Sequence, residues 1–306
     1  MANDMNLRGR TALVTGAGSG IGRGLAHVLA GRGARLALAD IDEAGLAATV
    51  ATLPAGTVVT SHRLDVADRA AVASLPDAVA AAHGRLDLLF NNAGVAIGGT
   101  FLEASEADFE WLFEINFWGV VRMTRAFLPL LATSDDARIV NLSSIYGIIA
   151  PPGQTAYSAS KFAVRGFSNA LRHELEMAGA RIGVTVVHPG GVATEIARRA
   201  RLPTGVAAAD VQARVERMQS FLRMPPARAA EIIVRGVQRR RARVLVGNDA
   251  RAAALLEWLA PVSYWKVIGR RYAAVANAAP APQSPTGPSA PPLADTGSSP
   301  SAEQLR

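Results

Sequence analysis

Cysteine is absent from this sequence of 306 residues, and its absence excludes whole classes of chemistry. A chain without thiols forms no disulfide framework and uses no thiolate nucleophile. Such a composition fits a reducing compartment, and we expect a cytoplasmic protein. The five histidines are scattered, with none four residues from another, so we expect no metal site.

Long hydrophobic runs are also absent. No stretch reaches the roughly 18 uninterrupted apolar residues that a membrane-spanning helix needs. The opening residues MANDMNLRGR lack the charged and then apolar layout of a secretory signal, so we expect no such signal. The composition is nevertheless 50% hydrophobic, which is enough to bury a sizeable core.

Lysine is scarce, because only Lys161 and Lys266 contribute to the 32 basic residues and the rest are arginine. The net charge of +7 and the isoelectric point near 10.6 raise the question of a nucleic-acid partner. Arginine in place of lysine inflates the isoelectric point, however. The arginine clusters within 198–201 and 239–243 fit solvated helix ends better than a nucleic-acid patch, so we expect no nucleic-acid partner.

Short apolar runs alternate with longer segments of helical spacing between residues 7 and 250. The predicted strands are Thr11–Thr15, Arg35–Asp40, Thr57–Asp65, Leu86–Asn91, Arg138–Ser143, Arg181–His188 and Arg243–Val246, and the predicted helices include Ile21–Ala30, Arg69–Ala82, Phe109–Leu131 and Tyr157–Met177. Most strands are continuous apolar runs, as in sheets covered on both faces. The alternation predicts one α/β domain, doubly wound and Rossmann-like, with a mostly parallel seven-stranded sheet between helices.

Two further regions depart from this pattern. Residues 251–278 form an aromatic and basic helical extension, which we interpret as a subunit interface or part of a lid. A peripheral membrane contact is an alternative, because aromatic and basic residues on one amphipathic helix suit an anionic interface, and a solvated appendage is another. Residues 279–306 are rich in proline and serine, and we predict a disordered tail.

Glycines dominate the turn after the first predicted strand, in the stretch TGAGSGIG from Thr15 to Gly22. The spacing is G-x-x-x-G-x-G, carried by Gly16, Gly20 and Gly22, rather than G-x-G-x-x-G. Glycines at such a place let the backbone approach a pyrophosphate that rests on the N-terminus of the following helix. The position between a strand and an amphipathic helix favours nucleotide binding over a plain tight turn.

The second predicted strand ends in Asp40. A carboxylate at that place accepts hydrogen bonds from the hydroxyls of an adenosine ribose and repels a 2′-phosphate. Positions 17–19 hold no lysine or arginine, and Ile41 follows the aspartate. The sequence therefore favours NAD over NADP. A helix-capping role belongs more naturally to Asp42.

One of the two lysines lies four residues after a tyrosine, in the stretch AYSASK. Tyr157 and Lys161 therefore share one face of a predicted helix. A phenol has a pKa of about 10, and a nearby ammonium lowers the pKa of a phenol because it favours the phenolate. An ammonium also offers three compact donors for ribose hydroxyls, which a planar guanidinium does not copy. The pair alone is common by chance, and a helix-surface pair is the alternative.

Other polar residues follow neighbouring strands and place this pair in context. Ser143 and Ser144 end one strand, NNAG (Asn91–Gly94) ends the strand before it, and HPGGVAT (His188–Thr194) ends the next. Parallel sheets bind ligands at these carboxyl ends. Between the two serines, the 13-residue distance to Tyr157 favours Ser144 over Ser143. We interpret His188 as a strand-end residue without chemistry.

These motifs, in this order, resemble those of the short-chain dehydrogenase/reductase family over residues 7–250. The resemblance implies that Tyr157 is the general acid/base, that Lys161 lowers the pKa of Tyr157 and binds the nicotinamide ribose, and that Ser144 holds the substrate oxygen. It also implies that Asn116, in the stretch EINFWG, maintains a water-linked proton relay near Lys161. The implied coenzyme contacts are Gly16, Ser19, Gly20 and Ile21 for the pyrophosphate, Asp40 for the ribose, Asp65 and Val66 for the adenine, Asn92 for the adjoining ribose region, and Val192 and Thr194 for the nicotinamide amide.

The implied reaction is hydride transfer between NAD and a small-molecule secondary alcohol or ketone, in a homodimer or homotetramer. Residues 195–225 would cover the site. Their apolar members predict a hydrophobic substrate, and they are Ile196, Leu202, Val206, Met218, Phe221, Leu222 and Met224. The alternatives are a non-catalytic NAD sensor or scaffold and a non-redox enzyme on the same fold, such as an epimerase, a dehydratase or a dehalogenase. A broken catalytic set would favour these alternatives, whereas here the set is whole.

Overall fold

A computed structural model of the chain describes residues 4–202, 216, 219–266, 268 and 269. Several predictions fall outside these residues. They concern Val206 and Met218 of the covering segment, the part of the extension that follows residue 269, and the tail 279–306.

Seven parallel strands form a single sheet with the order β3-β2-β1-β4-β5-β6-β7. The strands are β1 (Thr11–Thr15), β2 (Arg35–Asp40), β3 (Val59–Arg63), β4 (Leu88–Asn91), β5 (Ala137–Leu142), β6 (Ile182–Pro189) and β7 (Arg243–Val246). The predicted α/β class and all seven strands are confirmed, although β3 and β4 are shorter than expected. The order reverses between β1 and β4, and sheets of this kind bind ligands in the crevice beside such a reversal.

Helices cover both faces of the sheet. They are α1 (Gly20–Gly31), α2 (Glu43–Ala51), α3 (Arg69–His83), α4 (Glu106–Phe113), α5 (Gly119–Ala132), α6 (Thr155–Met177), α7 (Pro226–Gln238) and α8 (Asn248–Leu259). Apolar residues of α1 and α7 pack with one face of the sheet, and those of α3, α5 and α6 pack with the other. Two separate cores therefore hold the sheet between layers, as the apolar strands predict.

The predicted helix Phe109–Leu131 is interrupted. A π-helical turn, Glu114–Trp118, directly connects the end of α4 to the start of α5. Turns of this kind insert one extra residue into a helix and often occur at functional sites. Apolar periodicity does not reveal the inserted residue, so the sequence predicts one uninterrupted helix.

The chain through Tyr264 forms one compact unit, which includes α8, and the residues from Trp265 onward form a second. Within the part of the chain that the structure describes, no helix has both the length and the apolar character to cross a membrane.

A buried carboxylate lies at the amino end of the sheet. The side chain of Asp87 has no exposed surface, and it accepts hydrogen bonds from the Thr11 N–H at 2.9 Å and the Ser134 hydroxyl at 2.7 Å. Arg10 donates to the same carboxylate at 3.0 Å, and Arg85 pairs with it as well. Burial opposes ionisation most strongly, but the hydrogen bonds from Arg85, Ser134 and Thr11 together hold the pKa of Asp87 below its usual value. This carboxylate therefore ties β1, β4 and the end of α5 together.

We predict that Asp87→Asn lowers the free energy of unfolding by about 3 kcal/mol at neutral pH, because it leaves buried donors without their charged partner. The loss should shrink in acid. Because the folded-state pKa is lowered, the stabilisation is complete above the unfolded pKa of about 3.9 and is lost as the pH falls through the lower folded value. Urea denaturation at neutral and at acidic pH measures the loss of unfolding free energy and its dependence on pH. The control is Asp135→Asn, an exposed partner of the same arginines, which should have a much smaller effect. Equal effects of the two variants would contradict this account.

Candidate active site

The turns that follow β1, β2, β4, β5 and β6 meet at the carboxyl edge of the sheet, as parallel strands require. The glycine-rich turn after β1 is one of them. Gly16 has φ +66°, a left-handed value that favours glycine. A Cβ on Gly22 would lie 1.9 Å from the Gly16 carbonyl oxygen, so the start of α1 packs directly on the turn. Any larger residue at position 22 would push the two apart.

The N-terminus of α1 offers donors that the helix itself does not use. Ser19 is the N-cap residue, but its side chain makes no capping hydrogen bond, and the first turn of α1 holds no acidic residue. Uncapped N–H groups and the helix dipole favour an anion at this position. Gly20 lies so close to Thr194 that a Cβ on the glycine would be 3.0 Å from the Thr194 methyl group. Ile21 anchors this turn in the core. The geometry fits the pyrophosphate of a dinucleotide.

Asp40 supports the same turn from the end of β2. Its Oδ2 accepts the Gly18 N–H at 2.8 Å, and its Oδ1 accepts the Asp42 N–H at 2.9 Å. Each oxygen retains a lone pair for a ribose hydroxyl, since a carboxylate offers about four acceptor sites. Asp42 caps α2 through the Gly45 N–H, as predicted. Asp40 is therefore both a scaffold of the turn and a candidate ribose ligand.

The residues that the resemblance assigns to the adenine and the adjoining ribose follow β3 and β4. Asp65 accepts the Ala67 N–H at 2.9 Å, and Val66 is buried against Gly119. The Asn92 side chain donates its amide hydrogens to the Thr15 and Gly16 carbonyls at 2.8 and 3.1 Å. The resemblance assigns Asn92 to the adjoining ribose region, and that role stays a prediction. Its side-chain nitrogen also holds the glycine-rich turn, a contact that spacing alone does not indicate.

Asn116 lies in the π-helical turn and is fully buried. Its Oδ1 accepts the Val95 N–H at 2.8 Å, and its Nδ2 donates to the Val95 carbonyl at 2.9 Å. Gly94 passes beside both Asn116 and Lys161, because a Cβ there would lie 3.1 Å from Asn116 Oδ1 and 3.4 Å from Lys161 Nζ. The turn after β4 and the helical turn are thus fixed to each other next to the lysine.

Lys161 is buried on α6, and its Nζ donates to the Leu142 carbonyl at the end of β5 at 3.2 Å. The same nitrogen lies 5.5 Å from the centre of the Tyr157 ring. The two side chains therefore share one face of α6, as their spacing predicts. Burial is the dominant influence on both groups. It lowers the pKa of Lys161 to about 8 and raises the pKa of Tyr157 to about 12.

The direction of the Tyr157 pKa differs from the sequence expectation that Lys161 lowers it. Loss of solvent around the phenol outweighs everything else, and the hydrogen bond with Ser144 is the one influence that lowers the pKa. A phenolate away from solvent is costly unless it has a close cation, and the described hydrogen bond of the Lys161 ammonium goes to the Leu142 carbonyl rather than to the phenol. With a pKa of about 12, the tyrosine therefore holds its proton at neutral pH.

The two neighbouring serines have different partners. Ser144 is buried; its hydroxyl accepts the Tyr146 N–H at 3.1 Å and is hydrogen-bonded with Tyr157. The Ser143 hydroxyl instead donates to the Lys161 carbonyl at 2.8 Å, which fastens α6 to β5. The geometry favours Ser144 as the residue that meets a substrate oxygen beside Tyr157.

The segments after β4 and β6 are tied together over this edge. Val192 is buried and pairs with Met224 in an isolated bridge, and Ile97 pairs likewise with Arg201. The Arg201 guanidinium lies 3.8 Å from the centre of the Trp111 ring. These contacts hold the first part of the covering segment against α4. They leave the predicted residues Ile196 and Leu202 half-buried.

The sequence indicates only a strand-end residue without chemistry at His188. In the structure His188 lies in β6, is fully buried and contacts the Ser144 carbonyl through Nδ1 at 2.9 Å, a contact that the sequence does not indicate. The pKa of His188 is lowered to about 4, chiefly by burial. The ring is therefore neutral at physiological pH. The only sequence signal is its place immediately before Pro189.

Comparisons with known proteins agree with this geometry. The model of the short chain dehydrogenase family matches residues 10–204. SadH of Mycobacterium tuberculosis, which is named as an oxidoreductase, is 46% identical over 265 residues, covering 86% of this chain and 95% of SadH.

Two solved structures share the fold. A short-chain dehydrogenase/reductase from Burkholderia phymatum in complex with NAD has a TM-score of 0.77 and 35% identity, covering 83% of this chain and 94% of its own. A short chain dehydrogenase from Burkholderia cenocepacia in complex with NADP has a TM-score of 0.69 and 25% identity, covering 86% and 98%. Relatives on this fold therefore bind either coenzyme.

We predict that Gly22→Ala destabilises the protein by about 1–3 kcal/mol and weakens dinucleotide binding, because the added methyl group must displace the Gly16 carbonyl. The matched control is Gly31→Ala, at the other end of the same helix, where a Cβ meets nothing within 4 Å. That substitution should be neutral or slightly stabilising. Thermal denaturation and calorimetric titration with NAD measure the two effects. Equal behaviour of the two variants would contradict the packing argument.

Proposed function

Because this chain belongs to the short-chain dehydrogenase/reductase family, whose oxidoreductases bind NAD or NADP and act on small molecules, we propose that it interconverts a hydrophobic secondary alcohol and its ketone. The single observation that supports this proposal is the set of buried Ser144, half-buried Tyr157 and buried Lys161 at the carboxyl edge of the sheet, beside the glycine-rich turn. The proposed acid/base is Tyr157, and the proposed coenzyme is NAD.

In the direction of ketone reduction, Tyr157 donates its phenol proton to the carbonyl oxygen while Ser144 donates a second hydrogen bond to the same oxygen. The raised pKa of Tyr157, about 12, suits this direction because the phenol holds its proton at neutral pH. In the oxidising direction Tyr157 must take the alcohol proton. Lys161, whose pKa of about 8 leaves it mostly charged at neutral pH, lowers the cost of the phenolate that precedes this step.

A bound coenzyme would accept the hydride at its nicotinamide ring as NAD and would supply it as NADH. The residues that would hold it are those of the glycine-rich turn and the strand ends. Gly16, Ser19, Gly20 and Ile21 would face the pyrophosphate, Asp40 the ribose, Asp65 and Val66 the adenine, Asn92 the adjoining ribose region, and Val192 and Thr194 the nicotinamide amide. Asn116 would support a water-linked proton path to Lys161, which itself would hold the nicotinamide ribose.

The preference for NAD is supported by the position of Asp40. Its carboxylate is fixed by two backbone N–H groups, so it cannot turn away from a bound ribose at small cost. A 2′-phosphate would meet a negative charge at that place. The hydrophobic substrate is supported by the apolar composition of the covering segment, in which Met224 pairs with Val192 and Phe221 lies three residues before Met224.

The predicted subunit number, the cytoplasmic location and the peripheral membrane contact stay predictions. One feature of the described residues bears on the predicted peripheral membrane contact. The outward face of α8 and the turn after it carry exposed apolar residues at helical spacing, with Leu255, Trp258 and Val262 exposed by 57, 75 and 91%. Either a membrane surface or another subunit would cover such a face. The non-catalytic sensor and the non-redox enzyme remain the rival functions, and the intact catalytic set disfavours both.

We predict that Tyr157→Phe lowers kcat by about 10²–10⁴-fold, the usual contribution of a positioned acid/base, and leaves the affinity for NAD nearly unchanged. The matched control is Tyr146→Phe, because the Tyr146 ring lies 6.2 Å from the Tyr157 ring and loses a hydroxyl without losing its aromatic contact. That control should keep most of its activity. Steady-state kinetics and calorimetry provide the two readouts, and near-full activity of Tyr157→Phe would refute the assignment.

We also predict that Asp40→Asn shifts the ratio of kcat/KM for NADP to that for NAD by about tenfold or more towards NADP, the size of one lost charge-assisted hydrogen bond. The neutral side chain no longer repels the 2′-phosphate and binds the ribose hydroxyls more weakly. Asp42→Asn is the control, because it removes a neighbouring charge while asparagine still caps α2. The ratio should not change in that variant. A wild-type preference for NADP, or an unchanged ratio in Asp40→Asn, would overturn this interpretation of Asp40.

A further inference from the structure

The hydrogen bonds between β5 and β6 end at a proline. Ser143 N–H donates to the Val187 carbonyl at 2.8 Å, and alternate residues of β6 supply the bonds to β5. The next residue of β6 that faces β5 is Pro189, which carries no N–H. The backbone pairing between these strands therefore stops immediately below Ser144.

His188 supplies a donor where the backbone does not. Its Nδ1 lies 2.9 Å from the Ser144 carbonyl oxygen, and its side chain is fully buried. A carbonyl oxygen only accepts hydrogen bonds, so Nδ1 must carry the hydrogen and a neutral ring leaves Nε2 without one. Nε2 is buried and has no partner among the described residues. The ring thus makes one directed hydrogen bond, and that bond goes to the catalytic serine.

The Ser144 peptide is held from two sides. Its carbonyl accepts the Gly147 N–H at 2.9 Å in addition to His188 Nδ1, and its hydroxyl accepts the Tyr146 N–H at 3.1 Å. The Ser144 side chain also acts on the Tyr157 phenol, whose pKa it lowers. A shift of this peptide would move the serine oxygen relative to the phenol, and misplacement by about 1 Å can cost about 100-fold in rate.

We propose that His188 is a positioning residue, whose Nδ1–H fixes the Ser144 peptide so that the serine hydroxyl and the Tyr157 phenol converge on one substrate oxygen. This inference rests on the proposed function for its kinetic consequence, but not for its geometry. An unpartnered Nε2 in the core destabilises the fold, so packing alone does not explain a histidine here. Leucine would fill a similar space without that cost.

Two substitutions separate the hydrogen bond from the packing. In His188→Asn, the amide nitrogen takes the place of Nδ1 and can donate to the same carbonyl, whereas His188→Leu fills the site without a donor. We expect His188→Leu to lose about tenfold or more in kcat, with nearly unchanged melting temperature and NAD affinity. His188→Asn should retain most of the wild-type kcat. The measurements are steady-state kinetics, thermal denaturation and calorimetry with NAD.

Equal kcat values in His188→Leu and wild type would overturn the proposal, as would equally low values in both variants, which would indicate a requirement for the ring itself. If His188→Leu fails to fold, the tautomer of the histidine in the wild-type protein decides, because its measurement needs no variant that lacks the donor.

A measurement independent of activity covers the case in which the proposed reaction is wrong. Nuclear magnetic resonance of the protein labelled with ¹⁵N-histidine reports which ring nitrogen carries the hydrogen, and the signals of His188 are those missing from His188→Asn. A neutral ring with the hydrogen on Nδ1 supports the proposed hydrogen bond. A hydrogen on Nε2 overturns it, whether or not any alcohol is oxidised.

Discussion

The arrangement of the site depends on one buried ammonium. Lys161 lies inside the protein with the Leu142 carbonyl as its described hydrogen-bond partner, and its burial lowers its pKa to about 8. A charge in that position is costly unless oxygen atoms surround it. The end of β5 and Gly94 approach the same nitrogen, and Asn116 lies beside that glycine. A ligand with hydroxyl groups, such as the ribose of the proposed coenzyme, would complete this environment.

The fold is largely predictable because burial on both faces leaves a clear signal in the sequence. Most of the strands appear as apolar runs, whereas β3 is largely polar and partly exposed. The alternation with helices determines a parallel sheet. The interruption of the helix at Glu114–Trp118 is different, because an extra residue in a helix leaves the apolar pattern nearly unchanged. The covering segment is only partly described, so its predicted apolar pocket stays a prediction.

The site is predictable where a residue type is chemically unusual and unpredictable where the effect depends on distance. Lys161 stands out because arginine replaces lysine almost everywhere else. The pKa of Tyr157 does not follow from its spacing to Lys161, because burial acts on the phenol more strongly than an ammonium 5.5 Å from its ring. Asn92 and His188 contact backbone carbonyls that are distant in sequence, and only the three-dimensional structure brings these atoms together.

The most direct test of this account follows the near-ultraviolet absorbance of the reduced nicotinamide. The purified wild-type protein is incubated with NAD or NADP and a panel of secondary alcohols, graded from small and polar to large and apolar, and then with the matching ketones and the reduced coenzymes. The account predicts turnover with NAD in preference to NADP, and faster turnover of the apolar members. No turnover in either direction, with NAD binding verified by calorimetry, would contradict the proposed reaction and favour a protein that binds the coenzyme without using it.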